Sequence, residues 1–317
     1  MVETANIITV TLNPALDHSI YLPCFQIGKV NRVQEERLDP GGKGINVANV
    51  IRSLGEKVTV TGFLGQDNVK KFQDFFLMKD IEDHFITLQG ATRSNMKLID
   101  QTSCTVTEVN FPGLAFQAAD YKRLEEKIAF LASSNSTFIL SGSLPPNAPS
   151  NIYAQLIAQI KTAGGRAFLD TSGEALQQAL TAKPYAIKPN VEELSQLYDL
   201  DLTNPSNLRK IIDELLHSGI ELVVVSLGAD GAIFAKGKEK LLVKSPTISV
   251  NSTVGAGDAM VGGIAVATLR NFSLQNLARL ATASAAAAVA TEGTQSGSLA
   301  EVQNLEPLVQ ITNWEES

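Results

Sequence analysis

Between residues 137 and 226, short β-branched runs alternate with stretches of helical periodicity, and this alternation limits the possible folds more than any other feature of the chain. Thr137 to Leu140, Ala167 to Asp170, Ala186 to Lys188 and Leu222 to Ser226 read as buried strands, while Ile152 to Ala163 and Leu208 to His217 read as helices. Parallel neighbours need a crossover, and a helix is the usual one. The pattern therefore predicts a mainly parallel sheet covered by helices on both faces. Ile7 to Leu12, stopped by Asn13-Pro14, adds a first buried strand, and Val58 to Leu64 adds another between helices expected at Ile45 to Leu54 and Phe72 to Met78.

Two stretches stand outside that alternation. Residues of about 14–38 and 85–112 carry short strand signals without helices, so they predict a small separate sheet inserted beside one α/β domain spanning 1–317. At 317 residues the chain has ample core for such a domain. Its net charge of -7, with both signs spread along the chain and no basic block, argues against a nucleic-acid partner. No apolar run approaches the ~20 residues of a membrane span, and Met1 to Ala5 lacks a basic leader, so a cytoplasmic protein is expected. Cys24 and Cys104 are read as reduced thiols, and His18, His84 and His217 form no metal-ligand spacing.

The densest chemistry lies at Ser252 to Gly263. Gly255 and Gly257 permit backbone conformations closed to other residues, so successive N–H groups can converge on a phosphate at the start of the apolar stretch that follows. Asp258 falls at that helix start, placed to accept a proton from an attacking hydroxyl; an Asp cap after a glycine turn produces the same letters. No GxxxxGK[ST] loop occurs, and Met260 stands where a dinucleotide fingerprint needs its third glycine.

Further polar residues sit at strand ends, where open parallel sheets bind ligands. Ser226-Leu227-Gly228-Ala229-Asp230-Gly231 can wrap a nucleotide or be an ordinary turn. Asn190 and Glu193, three apart at a helix start, can face hydrated Mg²⁺ or cap one another. Gly42-Lys43-Gly44 offers an anion nest with a point charge, and Arg93 either grips a phosphate or makes a surface ion pair. Asp17, just past the first strand, is an acceptor for sugar hydroxyls.

Taken with Gly41 to Gly44 and Ser252 to Asp258 as two signatures, these segments resemble, end to end, the ribokinase-like sugar kinases of the phosphofructokinase-B group. Thr11 to Asp17, Gly62 to Gly65, Thr92 to Leu98, Ser141 to Pro145 and Lys188 to Asn190 look like its sugar-phosphate branch, and Arg93 to Leu98 with Asn110 to Gly113 look most like the bacterial 1-phosphofructokinases. The resemblance implies a ribokinase-like three-layer α/β/α sandwich of nine or so strands with a small β-sheet lid, and a homodimer built through the lid. It implies Asp258 as base, with Gly255, Ala256 and Gly257 as the anion hole. ATP would meet Lys188, Asn190, Ser226 to Gly231, Ser252 and Thr253, with Glu193 near Mg²⁺. Asp17, Gly42, Lys43, Asn46, Arg93 and Ser141 would line the sugar-phosphate pocket. The expected reaction is ATP-dependent phosphorylation of fructose 1-phosphate at C6. The same signatures serve tagatose 6-phosphate and fructose 6-phosphate, and a non-catalytic sugar-phosphate-binding regulator is a rival from another class.

Overall fold

The computed structural model describes residues 6–103, 105–248, 255–291 and 296–314. Its strands, in chain order, are β1 (Asn6–Thr11), β2 (Ala15–Leu22), β3 (Glu35–Gly41), β4 (Val58–Gly65), β5 (Glu82–Asp83), β6 (Ile86–Leu88), β7 (Ser94–Asp100) and β8 (Thr105–Val109). There follow β9 (Ser136–Ser141), β10 (Arg166–Asp170), β11 (Ala186–Ile187), β12 (Leu222–Ser226), β13 (Ala232–Lys236), β14 (Glu239–Lys244) and β15 (Gln310–Asn313).

Pleating decides the layers. Ile7, Ile139 and Val224 point to one face of the sheet, and their neighbours Ile8, Phe138, Leu140, Val223 and Val225 to the other. Both faces are apolar, so both must be covered, and two buried clusters result. The helices Lys43–Ser53, Val69–Lys79, Ala256–Leu269 and Leu274–Val289 close the first; Ala118–Leu131, Ile152–Thr162, Gly173–Leu180, Val191–Tyr198 and Pro205–His217 close the second. This is the expected ribokinase-like α/β/α sandwich. Each fully buried Val or Ile side chain contributes about 1.5–3 kcal/mol relative to exposure.

The main sheet has eleven strands among the described residues, ordered β15-β14-β13-β12-β11-β10-β9-β1-β4-β5, with β6 pairing further along β4. Pairs from β12 to β5 are parallel, and β12 to β15 are antiparallel. The count exceeds the nine or so expected; β5 and β6, at the edge beside β4, are only two and three residues long, too short to carry a period of their own. Chain order reverses at β1, which has β4 on one side and β9 on the other.

A second sheet, β3-β2-β7-β8, leaves the carboxyl end of β1 through Asn13-Pro14. Its strands lie at 15–41 and 94–109. Ile86–Leu88, inside the stretch read as lid, pairs instead with Phe63 to Gly65 of the main sheet. Its Ile86 side chain is buried in the second core cluster, which fixes that choice.

Helix Ala256–Leu269 is buried almost all round. Gly262 and Gly263 make this possible: a Cβ on Gly262 would lie 2.7 Å from Val50 Cγ1, and one on Gly263 2.7 Å from Ala281 Cα. The helix therefore packs tightly against Lys43–Ser53 and Leu274–Val289, and its first turn is held rigidly at the sheet's carboxyl edge. Among the described residues no helix is long and apolar enough to cross a membrane.

Candidate active site

The carboxyl ends of β1, β9, β10 and β11 open into a cavity of about 520 Å³, beside the reversal of strand order and beneath Asp17, Asn95, Lys97 and Glu108 of the second sheet. Gly255 caps helix Ala256–Leu269 in the left-handed region, at φ 86°, and Ala259 N–H is the donor that bonds back to the Gly255 carbonyl, at 2.8 Å. The first-turn N–H groups of Ala256, Gly257 and Asp258 precede that bond and have no intrahelical acceptor. Such free donors, with the helix dipole behind them, favour an anion. Gly257 keeps its approach open; a Cβ there would lie 3.3 Å from Lys188 Nζ.

Asp258 is 8% exposed and accepts a 2.8 Å hydrogen bond at Oδ2 from Asn46 Nδ2. Burial and the neighbouring Asp170 carboxylate push its carboxyl up to about 6, against the opposing pull of Lys43, Asn46 and Lys188. Asp170, at the end of β10, is 3% exposed and lies between two ammonium groups: Lys43 Nζ is 3.3 Å from Oδ2 and Lys188 Nζ 3.3 Å from Oδ1. Burial alone would raise the Asp170 carboxyl; the two lysines outweigh it and hold the group below the usual carboxylate range. Burial works against the Lys43 ammonium, and the carboxylates of Asp170, Asp258 and Glu193 together raise it. Asp170 was not singled out from sequence, although its place as the last residue of an expected strand marked it for the site.

Towards the lid, Lys97 Nζ donates to Asp17 Oδ2 at 3.0 Å, both side chains being largely buried. Lys97 and Asn95 lie two apart on β7 and so share the cavity face; period-2 alternation was the available signal for Lys97. Arg93 lines the cavity, but three of its N–H groups donate to main-chain carbonyls, Nε to Pro14 at 3.3 Å, Nη1 to Phe111 at 2.6 Å and Nη2 to Asn13 at 3.0 Å. One N–H on each terminal nitrogen remains. Arg93 thus pins both lid connections and keeps half a fork for an anion. Gly42, Lys43 and Asn46 also line the cavity. Gly42 adopts φ 116°, and a Cβ there would come within 3.0 Å of Pro14 Cα, so only glycine fits this helix start.

Ser141 corrects the sequence reading. Its side chain is fully buried, with Oγ unpartnered, and does not line the cavity; Gly142 and Ser143 do. Gly142 turns the chain at φ 100°, its carbonyl accepting from Tyr153 and Thr171, so the residue that faces the cavity comes after the strand.

A second groove of about 610 Å³ has Leu202, Leu208, Leu227, Ile233, Leu242 and Trp314 for walls, with Asn190, Ser226, Gly228 and Asp230 also bordering it. Lys188 lines the first cavity rather than this groove. Ala229 is exposed in the same turn without lining the groove, and Gly231 is buried, its missing Cβ leaving room for the Val243 carbonyl. Ser252 and Thr253 lie outside the described residues. Asn190 and Glu193 form a capping box: Asn190 Oδ1 accepts from Glu193 N–H at 2.7 Å, and Glu193 Oε2 from Asn190 N–H at 2.9 Å. Their side chains are used in the cap rather than in a preformed cation site. Among the described residues no three His, Cys, Asp or Glu side chains are grouped to hold a metal ion.

A cavity with a buried carboxylate at a helix start, and a separate apolar groove lined by Asn190 and Ser226, suit a phosphotransferase. Comparison with known proteins decides its kind: the family described as pfkB family carbohydrate kinase matches residues 10–301. The chain belongs to that family. This pfkB kinase is 38% identical over 309 residues to a 1-phosphofructokinase of Vibrio cholerae, covering 98% of this chain and 97% of the relative. It is 42% identical over 281 residues to that of Rhodobacter capsulatus, covering 88% and 89%. Among solved structures it resembles phosphofructokinase-2 from Escherichia coli in complex with potassium, with a TM-score of 0.91, 32% identity and coverage of 96% and 98%. The same enzyme in complex with fructose-6-phosphate gives 0.89, 31%, 96% and 98%.

Proposed function

We propose that this pfkB kinase transfers the γ-phosphoryl group of ATP to the C6 hydroxyl of fructose 1-phosphate, giving fructose 1,6-bisphosphate and ADP. The observation that carries the chemistry is Asp258, a buried carboxylate at an anion-binding helix start, in a cavity whose far side bears Arg93 and Lys97. The ketose follows from relatives named 1-phosphofructokinase that match nearly the whole chain.

Asp258 accepts the proton of the C6 hydroxyl as its oxygen bonds to the γ-phosphorus and the bond from that phosphorus to the β-phosphate oxygen breaks. A carboxyl near 6 is ionised at neutral pH yet basic enough to take the proton. The N–H groups of Ala256 and Gly257, with Gly255 shaping the turn, meet the charge on the transferring group. Lys43 and Lys188 add two cations at the same place, and the apolar groove beside Ser226 to Asp230 takes the nucleotide's base. Arg93 and Lys97 take the phosphate that the sugar already carries, while Asp17 and Asn46 meet its hydroxyls. Mg²⁺ would neutralise the nucleotide's phosphates; it binds few protein oxygens and keeps most of its waters, so Glu193 Oε1, left over by the cap, suffices to hold it through water.

The second sheet turns Ile20, Leu38, Met96, Leu98 and Val109 away from the cavity by alternation with Asp17, Asn95, Lys97 and Glu108. This apolar face supports a homodimer paired through the lid, and the reading places the enzyme in the cytoplasm. Sedimentation equilibrium of the wild type and Met96→Glu should give a dimer and a monomer respectively.

The reaction is tested by ³¹P and ¹³C NMR of the product from MgATP and fructose 1-phosphate. A new phosphate ester on C6 is expected; ATP consumed without it, or no consumption, would overturn the reading.

A further inference from the structure

One buried carboxylate at the floor of the cavity has no part in the chemistry above. Asp170 ends β10, is 3% exposed, and its two oxygens engage different cations, Lys43 from the first turn of helix Lys43–Ser53 and Lys188 from the residue after β11. Those lysines are far apart in sequence, and each has a flexible four-carbon stem whose rotamer freedom must be given up to fix it. The carboxylate is itself fixed by β10, and the Asp170 carbonyl accepts from Gly142 N–H at 3.0 Å. Two ammonium groups are thereby held in ion pairs, each at 3.3 Å, beside a rigid strand end, and their N–H groups remain available to an incoming anion. Lys188 Nζ lies against Gly257, one residue before Asp258.

We propose that Asp170 is a positioning residue for phosphoryl transfer: without touching either substrate, it fixes Lys43 and Lys188 beside the helix start and sets the charge balance around Asp258. This rests on the reading of Asp258 as the base. The charged groups that act on Asp258 are Asp170, Lys43 and Lys188. Taking away the Asp170 charge leaves two cations unopposed, which has two consequences. Anionic nucleotide is still attracted, so its ground-state binding is kept or tightened, while the mobile ammonium groups no longer fit the transition state. The base also loses a like-charged neighbour and becomes easier to ionise.

The test compares wild type, Asp170→Asn and Asp170→Glu in steady-state kinetics with MgATP and fructose 1-phosphate across pH 5–9. For Asp170→Asn we expect kcat to fall about 10–10²-fold, the effect of groups misplaced by an ångström. The KM for ATP should be unchanged or lower, and the acid limb of kcat should move down by about one pH unit. Asp170→Glu keeps the charge but displaces it, so kcat should fall with the limb unmoved. Near-normal kcat in either variant, KM values for both substrates rising together, or a limb that stays in place in Asp170→Asn overturns the proposal. If circular dichroism shows that Asp170→Asn does not fold, a ¹³C-carboxyl titration of Asp258 in Asp170→Glu and wild type decides, equal midpoints with reduced kcat being required. Loss of all turnover in wild type would instead refute the kinase reading, which separates the two failures.

Discussion

Replacing Asp258 by Asn should stabilise the fold while removing most turnover, and the first magnitude follows from the site. Burial and the Asp170 carboxylate push the Asp258 carboxyl from 3.8 up to about 6. Each pH unit of that rise is worth about 1.4 kcal/mol, so holding Asp258 ionised in the folded chain costs about 3 kcal/mol well above pH 6. Below 3.8 the group is protonated in folded and unfolded chains alike, and the cost is absent. Between 3.8 and 6 the folded chain binds more protons than the unfolded one, so the wild type loses stability as pH rises through that window. An amide of the same shape imitates the protonated acid, and its oxygen still accepts from Asn46. Equilibrium urea denaturation at pH 8 should show Asp258→Asn more stable by about 2–3 kcal/mol, with the gain fading as the pH is brought to 4. Nucleotide binding should persist and kcat fall about 10²–10⁴-fold. A variant less stable than wild type at pH 8, or a gain of equal size at pH 4, would refute the claim that the fold holds an ionised carboxylate at its own expense.

Three further outcomes are expected. Arg93→Lys cannot serve three carbonyls with one ammonium group, so the KM for fructose 1-phosphate should rise at least about tenfold, the worth of a lost charge-assisted hydrogen bond; the KM for ATP should change far less, and equal effects on both would make Arg93 purely structural. Gly263→Val drives a Cβ towards Ala281 Cα, 2.7 Å away, and overpacking there should lower urea stability by about 1–3 kcal/mol; an unchanged midpoint would contradict the packing of helix Ala256–Leu269. Wild-type kcat/KM should fall as pH drops below about 6, where Asp258 gains its proton; a rate flat from pH 8 to 5 would remove Asp258 as the base.

The layers were legible because strands buried on both faces read as continuous apolar runs, as Leu222 to Ser226 does. Asp258 was legible because a glycine turn before an apolar helix fixes where a carboxylate must stand. Other features depend on contacts that no local pattern encodes. Arg93 is divided between the site and the carbonyls of residues 13, 14 and 111, remote in sequence. Ser141 was expected in the pocket from the family resemblance, yet the turn at Gly142 hands that place to Ser143. Asn190 and Glu193 satisfied two descriptions equally; the hydrogen bonds show the capping box, which leaves Glu193 Oε1 unused. Asp170 was hidden by its own burial: as a letter it only closes a strand, and the lysines that reveal it come from residues 43 and 188.

This phosphotransfer site should prefer a ketose already phosphorylated at C1. ADP release is to be measured with MgATP and, in parallel, fructose 1-phosphate, fructose 6-phosphate and tagatose 6-phosphate. The kcat/KM for fructose 1-phosphate should be at least about a hundredfold above the other two, a margin of some 2.7 kcal/mol in transition-state binding. Equal or greater activity with either 6-phosphate, or saturable binding of all three without ADP, would contradict it.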